Sequence, residues 1–317
     1  MITMDFNTKV YIAGHTGLVG AALVRRFKQE GFKNFVLKSH QELDLTSSKE
    51  VNAFFKKSKP QYIIIAAAKV GGIAANIASP VDFLVENLKI QNNLLEACQR
   101  YEAKKTIFLG SSCIYPREAP QPMLEEYLMH GPVEPTNASY AIAKIAGICL
   151  AQSLCKQYGM NIICPIPCNV YGQGDHFEFE RSHVISALVR RFAEAKQAGD
   201  GKVTLWGTGN ARREFLHVDD CADACMFLMK NYDSAEIINV GFGQDFSISE
   251  LAAKIAQIAG YKGDILWDHS KPDGMPRKLL DVTKLHKLGW KHRIGLDEGL
   301  GMVFDDFYRR KKLIKDR

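Results

Sequence analysis

Along the first half of the chain, two kinds of hydrophobic pattern take turns. Short continuous apolar runs rich in β-branched residues alternate with longer runs whose apolar positions recur at helical spacing. Lys9-Val10-Tyr11-Ile12-Ala13 predicts a first strand, followed by a glycine-rich turn and an amphipathic helix to about Glu30. A second strand is predicted from Phe35 to Lys38, a helix from about Ser48 and a strand from Tyr62 to Ala66. A small-residue turn from Ala67 to Gly72 comes next, then a helix over Pro80 to Arg100 and a strand from Thr106 to Leu109. The pattern then predicts a helix over Tyr140 to Tyr158 and a strand from Asn161 to Pro165. Strands alternating with helices imply a parallel sheet covered on both faces, with ligands at the carboxyl ends of the strands.

The first turn sharpens this reading. Gly14-His15-Thr16-Gly17-Leu18-Val19-Gly20 places three glycines where a tight turn, close approach to a pyrophosphate and helix-to-strand packing each need one. The predicted class is therefore α/β, a Rossmann-type doubly wound parallel sheet with a smaller mixed α/β C-terminal substrate-binding portion. The expected layout is a dinucleotide-binding unit over 1–172, joined again by about 212–243, and a mainly substrate-binding unit over 173–317. The second strand ends in Lys38-Ser39-His40, where an acid for the ribose hydroxyls is usual, and cationic groups there favour the 2′-phosphate of NADP. Asp44, with Leu45 after it, is either a contact for the adenine edge or a helix-start acid.

Composition is that of an ordinary globular protein, with 41 Lys and Arg against 35 Asp and Glu and a formal net charge of +6. The densest basic run, Arg309 to Lys312, suits a helix end better than a nucleic-acid site, and a mild positive excess suits anionic small ligands. Eight cysteines lie mostly in apolar stretches, without the paired spacing of a disulfide framework or zinc site, so reduced thiols and no metal are expected. No apolar run approaches the roughly 20 residues of a membrane span, and the N-terminus lacks a targeting pattern. A cytoplasmic protein that binds neither nucleic acid nor membrane is expected.

Chemistry concentrates at two places. Tyr140 and Lys144 stand four residues apart, hence on one helix face, where an ammonium beside a phenol favours the phenolate and suits proton transfer to a carbonyl oxygen. The run Leu109-Gly110-Ser111-Ser112-Cys113-Ile114-Tyr115-Pro116 leaves a strand end directly into a polar, sulfur-bearing turn. Taken without context, Ser111 is a turn-capping hydroxyl, Cys113 a small buried hydrophobe and His183 a helix N-terminal residue.

Together these motifs, with Arg212-Arg213-Glu214-Phe215-Leu216-His217-Val218-Asp219-Asp220 later in the chain, resemble the extended short-chain dehydrogenase/reductase family over essentially the whole length. Within that family, the runs around Ala66 to Ile73, Gly110 to Pro116, Pro135 to Gly147 and Lys271 to Gly274 resemble the GDP-4-keto-6-deoxy-D-mannose 3,5-epimerase/4-reductase branch. The resemblance implies a reductase triad of Ser111, Tyr140 and Lys144 with NADPH as hydride donor, and an acid–base pair of Cys113 and His183 for epimerisation at C3 and C5. The implied product is GDP-L-fucose. For the GDP-4-keto-sugar it implies Arg191, Trp206, Arg213, Asp273 and Lys278. For the cofactor it implies the glycine turn with Lys38, His40, Asp44, Leu45, Ala67, Leu109, Gly110, Ser112, Lys144, Pro167, Cys168, Asn169, Val170 and His183.

Three positions depart from the branch. Thr16 and His40 stand where arginines usually meet the adenosine phosphate, which weakens the expected NADP preference, and Cys168 replaces a usual Thr. The resemblance also implies a homodimer through a four-helix bundle made by the helices over Pro80 to Arg100 and Tyr140 to Tyr158. Other readings are a C4 reductase of a related GDP-4-keto-hexose or heptose, a UDP-sugar 4-epimerase and a non-catalytic dinucleotide-sensing scaffold.

Overall fold

The computed structural model describes residues 5–178, 182–271 and 273–315. The first half of the chain runs β1 (Val10–Ala13), α1 (Leu18–Glu30), β2 (Phe35–Val36), α2 (Ser48–Ser58), β3 (Tyr62–Ile65), α3 (Ile73–Ala78), α4 (Pro80–Arg100), β4 (Lys105–Phe108), α5 (Ala138–Tyr158) and β5 (Ile162–Ile163). Its five strands form one parallel sheet in the order β2-β1-β3-β4-β5. The order reverses between β1 and β3, which opens a crevice at their carboxyl ends. All residues of β1, β3 and β4 are buried, as continuous apolar runs in a sheet covered on both faces must be.

Helices cover the two faces in separate groups. On one, α1 packs along α7 (Val218–Asn231), and Arg25 pairs with Asp219 at 2.6 Å and Arg26 with Asp223 at 2.7 Å. On the other, α4 packs closely along α5. Local sequence sets the helix ends. Ser47 caps α2 by accepting from the Glu50 N–H, Pro80 occupies the first turn of α4, and Gly31 and Gly159 close α1 and α5 in the left-handed conformation.

The remainder comprises β6 (Pro165–Pro167), β7 (Asn169–Tyr171), α6 (Val184–Ala198), β8 (Lys202–Trp206), β9 (Arg212–His217), β10 (Ile238–Val240), β11 (Asp245–Ser247), α8 (Ile248–Ala259), β12 (Asp264–Asp268), β13 (Arg277–Lys278), α9 (Thr283–Lys287) and α10 (Leu296–Lys315). β6 pairs with β10, β8 with β12, and β9 with β7, β11 and β13. Two hydrophobic cores result. One lies around the five-stranded sheet and takes in α7, β10 and the segment from Met275 to Trp290; the other gathers Tyr171, Val189, Phe192, Phe215, Leu251, Leu300 and Phe304.

Three expectations are corrected. The second strand stops at Val36, because the Ser39 carbonyl accepts from the N–H groups of Glu42 and Leu43 and turns the chain away. The strand expected over Asn161 to Pro165 is two short strands broken at Cys164, since Pro165 has no N–H to continue the ladder. Finally, one helix, Pro135–Tyr158, is long and apolar enough to cross a bilayer by length and composition. Part of its apolar surface serves packing, and Gly147 brings the helix against Phe108 of β4 and Gln91 of α4, while Ile142 and Tyr158 stay exposed.

Candidate active site

The crevice between β1 and β3 is made by absent side chains. A Cβ on Gly14 would stand 2.8 Å from the Ala67 backbone, and one on Gly20 would stand 2.0 Å from the Gly14 carbonyl oxygen. Gly14 also holds φ at +80°, a conformation glycine adopts freely. Gly17 begins α1 with no side-chain cap and no acid in the first turn, so N–H groups and the positive end of the helix face the opening. Nδ1 of His15 is buried without a partner. Leu18 and Val19 open α1, and Thr16 and Gly17 are exposed at the turn. A site lined by bare backbone, a helix N-terminus and an unpartnered ring nitrogen fits a diphosphate.

Farther along the crevice, His40 is exposed and Lys38 is half-exposed, paired with Glu42 at 3.0 Å. Glu42 also accepts from Ser39 N and Oγ at 2.8 Å each, and with the Ser39 backbone N–H as the main cause its carboxyl falls to about 2. The sequence did not mark this acid. Asp44 accepts from Thr46 N and Oγ1 just before α2, as a helix-start acid does, while the Leu45 carbonyl accepts from Asn93.

β4 ends into Leu109, Gly110 and a single 3₁₀ turn over Ser112–Ile114. A Cβ on Gly110 would meet Ile166 at 2.3 Å, so only glycine allows this strand end to pass so close to β6. Ser111 starts the turn, its Oγ accepting from Cys113 N at 3.3 Å, and Ser112 is buried beneath it. Tyr140 and Lys144 sit on the first turns of α5, above this loop. The Ser111 side chain hydrogen-bonds Tyr140. Lys144, 4 % exposed, donates to the Leu109 carbonyl at 2.9 Å and lies 4.9 Å from the centre of the Phe108 ring and 5.9 Å from that of Tyr140.

Burial raises the Tyr140 phenol above its ordinary value, the Cys113 sulfur adds to the rise, and the Ser111 hydrogen bond opposes it. Burial likewise lowers Lys144 to about 8. Desolvation thus dominates both groups, and the Lys144 ammonium donates to the Leu109 carbonyl.

Cys113 has a different environment. Lys278 Nζ lies 3.4 Å and Asn137 Nδ2 3.2 Å from its sulfur. Burial pushes the thiol up, but the Lys278 charge and the hydrogen bonds from Ser111, Lys278 and Asn137 together hold it below the usual thiol value. Lys278, expected among the substrate residues, is thus brought to Cys113. It reaches there from β13, opposite Arg213 of β9 in the parallel register.

His183 stands just before α6 with its side chain 46 % exposed, and its Nδ1 is 3.1 Å from Oδ1 of Asp175, a partner the sequence did not reveal. That hydrogen bond raises the imidazole above its ordinary value against the effect of burial. Among the described residues, no hydrogen bond, ion pair or ring contact joins His183 to Ser111, Cys113 or Tyr140.

The remaining residues surround two loops. Pro167 ends β6, and Cys168 donates its N–H to Val240. Asn169 Nδ2 donates to the Glu214 carbonyl at 2.8 Å, and Val170 pairs with Leu216. Burial drives Cys168 well above the ordinary thiol value. Arg213 is half-buried, donates to the carbonyls of Arg212 and Asp273, and is lowered by desolvation. The Asp273 carboxylate is bound by Thr208 N at 2.8 Å and Oγ1 at 2.7 Å, so it shapes its own loop. Trp206 is 56 % exposed with Lys271 5.7 Å from its ring centre, and Arg191 donates to the Thr204 carbonyl on the same strand.

A glycine-lined crevice at the strand-order reversal, with a buried Tyr-x-x-x-Lys helix beside it, defines a dinucleotide-dependent enzyme of the short-chain type. The chain belongs to the NAD dependent epimerase/dehydratase family, which it matches over residues 10–241, and groups there with the GDP-L-fucose synthases. It is 51% identical over 301 residues to GDP-L-fucose synthase 1 of Arabidopsis thaliana, covering 95% of this chain and 93% of that one. Among solved structures, a GDP-6-OMe-4-keto-L-xylo-heptose reductase from Campylobacter jejuni superposes with a TM-score of 0.91 at 38% identity, over 97% of this chain and 99% of that one. A GDP-mannoheptose C4 reductase from the same organism with NADP bound superposes with a TM-score of 0.88 at 40% identity, over 96% and 99%.

Proposed function

We propose that this enzyme converts GDP-4-keto-6-deoxy-D-mannose to GDP-L-fucose, epimerising C3 and C5 and then reducing the C4 ketone. One observation carries the reading: the hydrogen-bonded chain from Tyr140 through Ser111 to Cys113, with Lys278 on the sulfur. A thiolate at Cys113 would stand as a base beside two hydroxyls suited to hold a carbonyl oxygen.

The ketone acidifies the protons at C3 and C5. Cys113 as thiolate removes one of them, and the enolate oxygen is held by the Ser111 and Tyr140 hydroxyls. His183, favoured in its protonated form by Asp175, returns a proton on the opposite face; once Cys113 has lost its proton to solvent and His183 has regained one, the pair acts again at the second carbon. The backbone of Gly14 to Gly20 would hold the NADP diphosphate, Lys38 and His40 its adenosine phosphate, and Ala67, Leu109, Gly110 and Pro167 to Val170 its nicotinamide end. When bound, NADPH supplies hydride to C4. Tyr140 gives its proton to the C4 oxygen; its raised pKa means that it enters this step protonated. Lys144 and the Leu109 carbonyl fix the floor of the site. Arg213 and Arg191 suit the GDP diphosphate, and the exposed face of Trp206 suits the guanine or sugar.

In this reading the core around the five-stranded sheet is the dinucleotide-binding unit and the second core carries the sugar nucleotide. A homodimer through α4 and α5 belongs to it as well, because Val81, Val85, Ile142 and Tyr158 stand exposed along these helices. Sedimentation of the protein and of a Val81→Glu/Ile142→Glu double variant tests the dimer, which the charges should dissociate.

The reaction is tested by incubating enzyme, NADPH and substrate in D2O and reading the product by NMR. Deuterium at C3 and C5 of GDP-L-fucose, lost with Cys113→Ser, supports the full sequence. Reduction without deuterium leaves a C4 reductase, as the heptose-reducing neighbours are named, and overturns the epimerase half.

A further inference from the structure

We propose that Lys278 is a positioning residue that keeps Cys113 as a thiolate, with Asn137 as its second donor. The proposal rests on the reading of Cys113 as the epimerisation base, and concerns what makes a thiol a base in this particular turn.

Hydrogen-bond direction comes first. An ammonium has donors only, and the Asn137 group facing the sulfur at 3.2 Å is its NH₂. A sulfur met by two donors at 3.2 and 3.4 Å acts as acceptor from both, which an anion does far better than a thiol. The far side of Asn137 adds to this: its Oδ1 is buried without a partner. Around a neutral thiol, turning the amide over would give Oδ1 the S–H proton and relieve that oxygen. In the observed orientation the sulfur receives the N–H instead, at the expense of the oxygen.

Charge comes second. Lys278 and Arg213 are register partners on adjacent parallel strands, and Lys278 is the one that reaches the sulfur, while Arg213 donates to the carbonyls of Arg212 and Asp273. Two cations on neighbouring strands repel unless an anion lies between them. Among the described residues no carboxylate pairs with Lys278, while Glu134 and Asp273 act on Arg213. The other titratable group near the sulfur is the Tyr140 phenol, which burial and the Cys113 charge keep protonated. Lys278 is thus the cation left without a carboxylate, and the positive charge at the sulfur comes from β13 through its ammonium 3.4 Å away.

The test needs neither substrate nor turnover. The rate of iodoacetamide labelling of Cys113 in the cofactor-free protein, followed from pH 5 to 10 by peptide mass spectrometry, gives the thiol midpoint while the other cysteines serve as internal references. The wild-type midpoint should fall below the ordinary value of about 8.5. Lys278→Met should raise it by about one unit or more, roughly tenfold less thiolate at neutral pH. Lys278→Arg should recover much of the shift. Asn137→Asp, which keeps a good residue at the start of α5, should raise the midpoint as well. A wild-type midpoint at or above the ordinary thiol value overturns the proposal without any variant. So does an unchanged midpoint in Lys278→Met. A low midpoint that Lys278 controls, in an enzyme showing no C3/C5 exchange, supports the proposal and sinks the epimerase reading instead.

Discussion

His183 Nδ1 lies 3.1 Å from Oδ1 of Asp175, a carboxylate buried at the foot of α6 whose other oxygen accepts from Ser186 Oγ at 2.6 Å. The contact fixes Nδ1 as the protonated nitrogen and leaves Nε2 toward the open side, where a proton can be delivered. It raises the imidazole and, against the effect of burial, lowers the carboxyl.

Both shifts carry a sign that pH can read. A raised histidine adds stability that is complete below its unfolded value of about 6.5 and disappears as pH rises through the folded one; a lowered carboxyl adds stability that disappears as pH falls through its folded value. Asp175→Asn should therefore cost most in melting temperature at roughly pH 5 to 6, and less on either side. In the same variant the alkaline limb of C3/C5 exchange should move to lower pH, because His183 gives up its proton sooner. An exchange profile identical to wild type would remove His183 from the proton path.

In the proposed reaction Tyr140 would divide the two half-reactions. Burial holds its phenol protonated, and it hydrogen-bonds Ser111, the other hydroxyl proposed to hold the ketone oxygen. Tyr140→Phe should lower NADPH oxidation by about 10²–10⁴, the usual worth of a positioned general acid. Exchange at C3 and C5 should survive within roughly tenfold, since Cys113, His183 and the Ser111 hydroxyl all remain. Parallel loss of both activities would mean that the enolate depends on the phenol as much as the alcohol does.

Much of this architecture was legible because it depends on local rules. Continuous apolar runs marked the buried strands, and Gly14, Gly17 and Gly20 marked the crevice; Gly14 and Gly20 answer to close backbone contacts, while Gly17 leaves the start of α1 bare. Tyr140 and Lys144 fell on one face of α5 by spacing alone. What spacing does not carry is desolvation: the four-residue offset sets an ammonium near a phenol, and it says nothing of the burial that raises Tyr140 and lowers Lys144. Nor does it carry pairings between distant segments. Lys278 reaches Cys113 from 165 residues away, and Asp175 looked like one more polar residue in a glycine-rich loop. Glu42 was passed over for a similar reason, as a turn residue between two motifs.

Glu42 has consequences for cofactor choice. Lys38, the cation expected at the 2′-phosphate, is paired with it at 3.0 Å, so the acid neutralises that charge. Glu42→Gln should tighten NADPH several-fold and leave NADH nearly unchanged, because only the first carries the extra phosphate. The two dissociation constants, measured by nicotinamide fluorescence at low and high salt, should differ most at low salt. Equal effects on both cofactors would place the adenosine phosphate elsewhere.

Gly147 links the fold to the chemistry. A Cβ there would meet Phe108 Cζ at 2.4 Å and Gln91 Oε1 at 2.7 Å, and Gln91 Nε2 already donates to the Ala143 carbonyl at 2.7 Å. Neither neighbour is free to retreat: Phe108 is fully buried in β4 and Gln91 is tied to the helix backbone. Gly147→Ala should destabilise the protein by about 1–3 kcal/mol through overpacking. At roughly 2–4 °C per kcal/mol for a chain of this size, calorimetry should resolve the loss. The substitution also pushes α5 away from the strand whose Phe108 ring lies beneath Lys144, so NADPH oxidation should fall further than the unfolded fraction explains. Gly72→Ala, at a position with nothing within 4 Å of a Cβ, should leave both measurements close to wild type. If Gly147→Ala behaves like Gly72→Ala, the close approach of α5 to β4 does not hold the Tyr140–Lys144 pair in place.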